Sequence, residues 1–499
     1  MDVNAFETPL VDWYSLSPFI VLLAGALVLI GVGSLTPRWP KGLYAAVTAV
    51  TAGAAITLLA LRVADIGGES NLKLMKDSLA LDRFGWWAMM AICLAVLLSA
   101  LVTSDVLARN GVDGPETYAL YLTAAIGAGM MVVSNDLLIS FLGIETLSLS
   151  LYVLAASNRR RASSQESGLK YFLLGGFASA FLLYGIALVY GATGETLISG
   201  IGSMLGSEVS VPRNDLLLLV GVALLFVGFA FKVALVPFQS WTPDVYEGAP
   251  THVTGLMASV GKVAAVVAMV RLFVVAFPSR ADDWRPVVFA VAVLTLVVGS
   301  VLAVVQTNVK RMLAYSSISH AGFMLVGLEA AGRVGSANAG EGTSAVLVYV
   351  MLYSVLVVGT FAVTAVVSGD RGGSSLEDFR GLSKRRPALA LAMTVLLLAQ
   401  AGVPLTSGFV AKFGVIRAAV ATESYVLAVA AMIAAVVAAY LYLRIMVSMW
   451  LAEPQDSSTM KVPFATTVTI AVSVAATLVL GVFPALLLDS AELFATLSR

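Results

Sequence analysis

The chain is predicted to be an all-α polytopic membrane protein of about fourteen transmembrane helices, and three observations carry that prediction. Of its 499 residues, 59% are hydrophobic and 12% charged, whereas soluble domains carry about 25% charged residues. Fourteen runs are apolar and long enough to cross a bilayer, for which about 20 residues suffice. Two of those runs are nearly twice that length and hold a proline near the middle, the pattern of broken helices in transporters built on inverted repeats.

The runs lie near 17–36, 43–63, 82–106, 116–134, 136–156, 166–191, 215–248, 251–277, 286–307, 311–331, 343–368, 388–421, 424–451 and 463–489. The segment before the first, MDVNAFETPLVDWY, is acidic and lacks the basic region of a secretory signal, so that run is expected to stay as a helix. Spans 7 and 12 are the long ones, with Pro237 in FKVALVPFQSW and Pro404 in AQAGVPLTSGF. Proline removes a helix hydrogen bond and clashes with the preceding turn. The two spans are five helices apart and therefore antiparallel. That fits two inverted five-helix repeats, helices 4–8 and 9–13, with helices 7 and 12 discontinuous. The expected division is 1–115 as an N-terminal three-helix segment, 116–278 and 279–452 as the repeats, and 453–499 as a C-terminal helix. The longest polar connections are expected near 64–81, 192–214 and 369–387.

Loops after odd-numbered spans hold the larger, clustered share of lysine and arginine, including Arg159, Arg160 and Arg161, and Lys384, Arg385 and Arg386. Cytoplasmic loops are the cationic ones, so both termini are expected on the non-cytoplasmic side. Zero net charge argues against nucleic acid. One cysteine, Cys93, cannot supply a disulfide or the four thiolates of an iron–sulfur cluster. The only histidines are His252 and His320, and no glycine-rich dinucleotide fingerprint follows a strand. No cofactor and no metal are expected in this chain.

The chemistry is expected from ionisable groups inside the spans, where a charge costs roughly 2.5–3.5 kcal/mol on insertion scales. Glu145 lies about nine residues from either end of span 5, near mid-membrane at 1.5 Å per residue. Lys232 sits where span 7 should break, Lys262 near the centre of span 8, and Lys412 just past the break in span 12. Burial disfavours a charged lysine and a nearby carboxylate restores it, so Glu145 and Lys232 are expected to pair. His320, within Tyr315, Ser316, Ser317, Ile318 and Ser319, suits a relay because histidine titrates near neutrality. Lys170, about one turn into span 6, is a further candidate. His252 reads as a helix-end residue, and Arg271, Arg417 and Arg444 as interface anchors.

WTPDVYEGAPTHVTGLMASVGK at 241–262 resembles the antiporter-like subunits of respiratory complex I and of multisubunit sodium/proton antiporters. Within that group, GIETLSLSLYVLAASNRRRASSQESGLKYFLLGGFASAFLLYGIALVYGATG, YSSISHAGF and GVPLTSGFVAKF resemble subunit N of the bacterial NADH–quinone oxidoreductases. His252 is a departure, since many relatives carry proline there. The resemblance implies a proton-translocating module in the cell membrane, driven by electron transfer from NADH to quinone in partner subunits. It places the family's key groups on Glu145, Lys232, Lys262 and Lys412, with Lys170 and His320 as participants. It also implies partners, membrane subunits K and M foremost and A, H, J and L besides. NADH, FMN, iron–sulfur clusters and quinone would belong to partner subunits. A subunit of a sodium/proton antiporter driven by ion gradients is the competing function, and the same lysines would serve it.

Overall fold

The computed structural model describes residues 11–36, 39–65, 72–74, 77–206, 215–333, 338–369, 374–454, 460–495 and 497. Arg38, Lys76, Arg213 and Arg371, counted among the loop cations, lie outside these residues. The helices are α1 (Trp13–Leu35), α2 (Leu43–Asp65), α3 (Arg83–Asn110), α4 (Pro115–Val133), α5 (Leu137–Ala155), α6 (Ala162–Thr193), α7 (Ile198–Gly206), α8 (Asp215–Val233), α9 (Trp241–Gly248), α10 (Thr251–Arg271), α11 (Ala281–Val304), α12 (Val309–Ala331), α13 (Ala339–Ser368), α14 (Leu382–Arg385), α15 (Pro387–Ala401), α16 (Ser407–Ala421), α17 (Tyr425–Leu451), α18 (Phe464–Val482) and α19 (Ala485–Phe494).

Twelve helices among the described residues are long and apolar enough to cross a membrane. Two further crossings fall outside that set for physical reasons. Helix α12 has the length but carries Lys310, Arg311 and the serine-rich stretch. The pair α15 and α16 crosses in two halves of 15 residues each. These bring the crossings to the fourteen expected. Both long spans are broken as the prolines suggested, at 234–240 and at 402–406. The polar connections carry short elements of their own. One holds a two-stranded hairpin, β1 (Leu72–Leu74) with β2 (Leu79–Leu81), and others hold α7 and α14. Span 14 also divides, at Pro484, into α18 and α19.

Side-chain caps set several helix starts. Asp12, Asp82, Asp136 and Asn308 accept from the first free N–H groups of α1, α3, α5 and α12, donors that otherwise lack partners. Helices α10 and α13 form the axis of the molecule. Helix α10 packs on α3, α4 and α13, and α13 on α3, α12, α16 and α18.

Arg271 is not an interface anchor. It is 1% exposed, and its guanidinium grips Asp82 through two bonds of 2.7 and 2.6 Å while Nε reaches the Val132 carbonyl at 3.2 Å. The pair ties α10 to the starts of the N-terminal segment's third helix and the end of α4. Arg444 also turns inward, donating to the carbonyls of Val304 and Gln306. Arg417 remains half-exposed beside Glu341 at 3.4 Å.

Candidate functional site: a buried polar row across two broken helices

The first break leaves the last carbonyls of α8 without helical partners. Backbone N–H groups of Ala234 and Leu235 take the carbonyls of Phe231 and Ala230, and the Trp241 indole also reaches Phe231 O at 3.0 Å. The Val233 carbonyl is taken by a lysine. Lys262 Nζ, 2% exposed, donates to it at 2.9 Å and to the Ser317 carbonyl of α12 at 2.8 Å. Lys262 therefore joins the broken helix of one repeat to a helix of the other. The peptide between Val236 and Pro237 is cis, and Val236 N–H donates to Thr295 Oγ1 of α11 at 3.0 Å.

Lys232 occupies the last turn of α8. Its Nζ donates to Ser148 Oγ at 2.8 Å and to Tyr171 Oη at 3.2 Å, and lies 5.3 Å from the Tyr171 ring centre. Glu145 does not form the expected direct pair with it. The carboxylate instead accepts a short bond from Ser179 of α6. Ser148 is three residues after Glu145 on one face of α5, and a cavity of about 10 Å³ touches Ser148, Ser179 and Lys232, room on the order of a single water. Acid and base thus bond to different hydroxyls, Ser179 and Ser148, both lining that cavity, with Glu145 half-buried on the α6 side of α5. Gly175 makes the cluster possible, since a Cβ there would lie 1.8 Å from the Tyr152 hydroxyl.

The second break repeats the carbonyl arrangement. Gly402 N–H takes the Leu398 and Ala399 carbonyls, and Lys412 Nζ donates to Ala401 O at 3.1 Å. The same ammonium stands 4.8 Å from the Phe323 ring centre. Between the two breaks lies His320. Its Nδ1 is 2.7 Å from Tyr349 Oη and its Nε2 is 3.4 Å from Tyr442 Oη. Ser316 bonds Tyr442 at 2.6 Å and Gln400 at 3.2 Å, and Ser317 bonds Tyr353 at 2.7 Å. The row thus runs from Glu145 through Lys232, Lys262 and His320 to Lys412.

Lys170 lies off this row. It is about half-exposed and bridges Glu166 at 2.7 Å and Asp244 at 3.0 Å. It lines a pocket of about 370 Å³ with Arg161, Glu247, Lys310 and Arg311. His252 starts α10 as expected, buried, with Nε2 lacking a hydrogen-bond partner. Three buried groups were missed in the sequence. Lys310 caps α9 by donating to the carbonyls of Glu247 and Ala249. Glu329, at the far end of the same helix, holds Arg285 at 2.5 Å and Ser424 at 2.7 Å. Gln400 bonds Thr360 at 2.6 Å and stands at the last-but-one residue of α15, as Lys232 does in α8. Aligning the two break sequences on their helix ends would have found it.

Residues 134–438 match the family described as NADH:quinone oxidoreductase/Mrp antiporter, TM. The chain is 40% identical to NADH-quinone oxidoreductase subunit N of Saccharopolyspora erythraea, covering 98% of this chain and 99% of the relative. It is 39% identical to the subunit N of Mycobacterium tuberculosis over the same shares. Among solved structures, a chain of respiratory complex I from Thermus thermophilus is 31% identical with a TM-score of 0.78, covering 95% of this chain and 98% of that one. A chain of the Mrp complex from Dietzia has a TM-score of 0.84 at 22% identity, over 97% of this chain and 96% of that one; at that identity the likeness is of fold. Two antiparallel broken helices, each closed by a lysine on its free carbonyl, belong to a chain that is a member of the NADH:quinone oxidoreductase/Mrp antiporter transmembrane family, on its NADH-quinone oxidoreductase subunit N branch.

Proposed function

We propose that this chain is the subunit N component of a bacterial NADH-quinone oxidoreductase and moves protons across the cell membrane along the row Glu145, Lys232, Lys262, His320 and Lys412. One observation carries the reading. Among the described residues, each of the three lysines of the row touches only neutral groups: hydroxyls, carbonyls or an aromatic ring. A buried lysine without a carboxylate in contact has its protonation decided by charges that come and go nearby. A lysine locked in an ion pair would not respond in that way.

Glu145, the acid at the start of the row, supplies the first such charge through Ser148 and Ser179. Lys262 passes the effect between repeats, and the hydroxyls around His320 carry it to Lys412. Lys170 serves the charged pocket by which protons reach the row. The redox centres, NADH and the quinone belong to partner subunits, with subunits K and M as immediate neighbours. The repeats span 116–278 and 279–452. The cationic loops face the cytoplasm and both termini the opposite side. Thiol labelling in intact cells checks this: a cysteine at Ser157 is expected to be protected and one at Ser279 to react, and the reverse pattern overturns the orientation.

A sodium/proton antiporter subunit remains the other function open to this fold. Purification distinguishes the two. Flavin and iron–sulfur partners are expected to accompany the chain, and their absence from an intact complex overturns the reading.

A further inference from the structure

A lateral groove of about 690 Å³ opens between α17 and the segment before α14. Its wall is an apolar stripe on one face of α17. Tyr440, Leu443 and Val447 are each about half exposed, and Leu451 is 79% exposed. Its rim is cationic. Arg380 Nε is buried without a hydrogen-bond partner, and the guanidinium forms no salt bridge among the described residues. Arg444 lines the same groove with part of its guanidinium committed to the Val304 and Gln306 carbonyls. Glu377, the one carboxylate in the lining, is exposed.

We propose that this groove binds one anionic phospholipid, its phosphate held by Arg380 and Arg444 and an acyl chain laid along α17. Three physical points favour this occupant. Guanidinium groups match phosphate oxygens bidentately, and a cation left without a partner at an apolar rim calls for an anion that brings its own apolar surface. The stripe from Leu451 to Tyr440 runs about 16 Å along the helix, close to one leaflet of a hydrocarbon core about 30 Å thick. Basic pockets at helix ends on the cytoplasmic side are where anionic headgroups bind, and Arg380 belongs to one of the cationic loops. The inference goes beyond proton movement and does not depend on it.

The test uses the assembled complex purified in detergent. Photoactivatable phosphatidylglycerol and phosphatidylcholine are supplied in turn, and labelled peptides are mapped. Phosphatidylglycerol is expected to label residues 440–452 at least fivefold more than phosphatidylcholine, and Arg380→Glu to remove the difference. Should that variant not assemble, Arg380→Gln serves, with a severalfold loss expected. Equal labelling by the two lipids, or labelling indifferent to position 380, overturns the proposal. So does a photo-crosslinking residue placed at Val447 that captures a neighbouring subunit instead of lipid.

Discussion

The break at 234–240 and the break at 402–406 meet the same structural problem with different residues. In each, a half-helix stops inside the membrane, the next residue turns to positive φ, and a lysine takes a carbonyl at the end. The turning residue is Ala234 in the first, at φ 67°, and Gly402 in the second, at φ 89°. In the first, the lysine comes from α10 and reaches across to the other repeat. In the second, Lys412 comes from the other half of its own helix. The position before the end holds Lys232 in one and Gln400 in the other. The surrounding charges differ too. At the seam between the repeats an open pocket lets carboxylates of α6 and α9 pair with Lys170 and with Arg311 of α12, whereas the second repeat buries Glu329 with Arg285. The seam beside the first break holds exposed charge, and the second break holds its lysine in a closed setting. An inverted pair with equal halves would have no built-in direction; under the proposed function, this asymmetry supplies one.

The largest effect that would sharpen the comparison is on stability. Glu329→Ala leaves the Arg285 guanidinium without its acid in a largely buried site, and about 3 kcal/mol of destabilisation is expected. Glu166→Ala, in the open pocket, removes an exposed i,i+4 pair and is expected to cost less than about 1 kcal/mol. Thermal inactivation of the two variant complexes measures both, and equal losses would break the distinction between a closed and an open charge cluster.

Next in size is the effect on transport. Lys412→Ala is expected to lower proton pumping about tenfold, equivalent to about 1.4 kcal/mol, while the complex still assembles. Normal pumping would make Lys412 an anchor. Gln400→Lys makes the second break like the first, adding a buried cation beside Ser316 and Thr360. A severalfold fall in pumping is expected, and an unchanged rate would mean that the Lys232–Gln400 difference carries no function.

A further comparison concerns the turns. Gly402→Ala places a side chain at positive φ, which costs roughly 1–2 kcal/mol; its Cβ would also lie 2.9 Å from the Lys412 side chain, which can shift. Ala234→Gly relieves a comparable strain and is expected to be neutral or stabilising by up to about 1 kcal/mol, partly offset by the chain entropy of glycine. Melting temperatures of the two variants that move in the same direction would contradict the shared geometry.

Much of this was legible in the sequence because it rests on one-dimensional signals. Span length and proline position located both breaks, and a charge in an apolar run singled out Glu145, Lys232, Lys262 and Lys412. What could not be read was partnership. Which oxygen Lys262 reaches depends on how α8 ends beside α10 and α12, and no spacing encodes that. Glu145 and Lys232 look like an ion pair on a line, yet the rotation of α5 turns the acid toward Ser179. Arg271 and Lys310 lie near helix ends, where snorkelling is the ordinary expectation; their burial depends on Asp82 and on the carbonyls of α9, distant in sequence. Gln400 escaped because it does not stand out until the two breaks are laid over each other, and Glu329 because its partners Arg285 and Ser424 are distant in sequence.

Within the row, Lys262 is the lysine whose bonds reach both repeats, so its replacement tests the continuous row most directly. The measurement is acidification of inside-out vesicles carrying the assembled Lys262→Met complex and driven by NADH, with Glu145→Gln alongside. The account predicts that both variants assemble, that Lys262→Met loses at least nine-tenths of the pumping and that Glu145→Gln is also depressed. Full pumping by the Lys262→Met complex would contradict it.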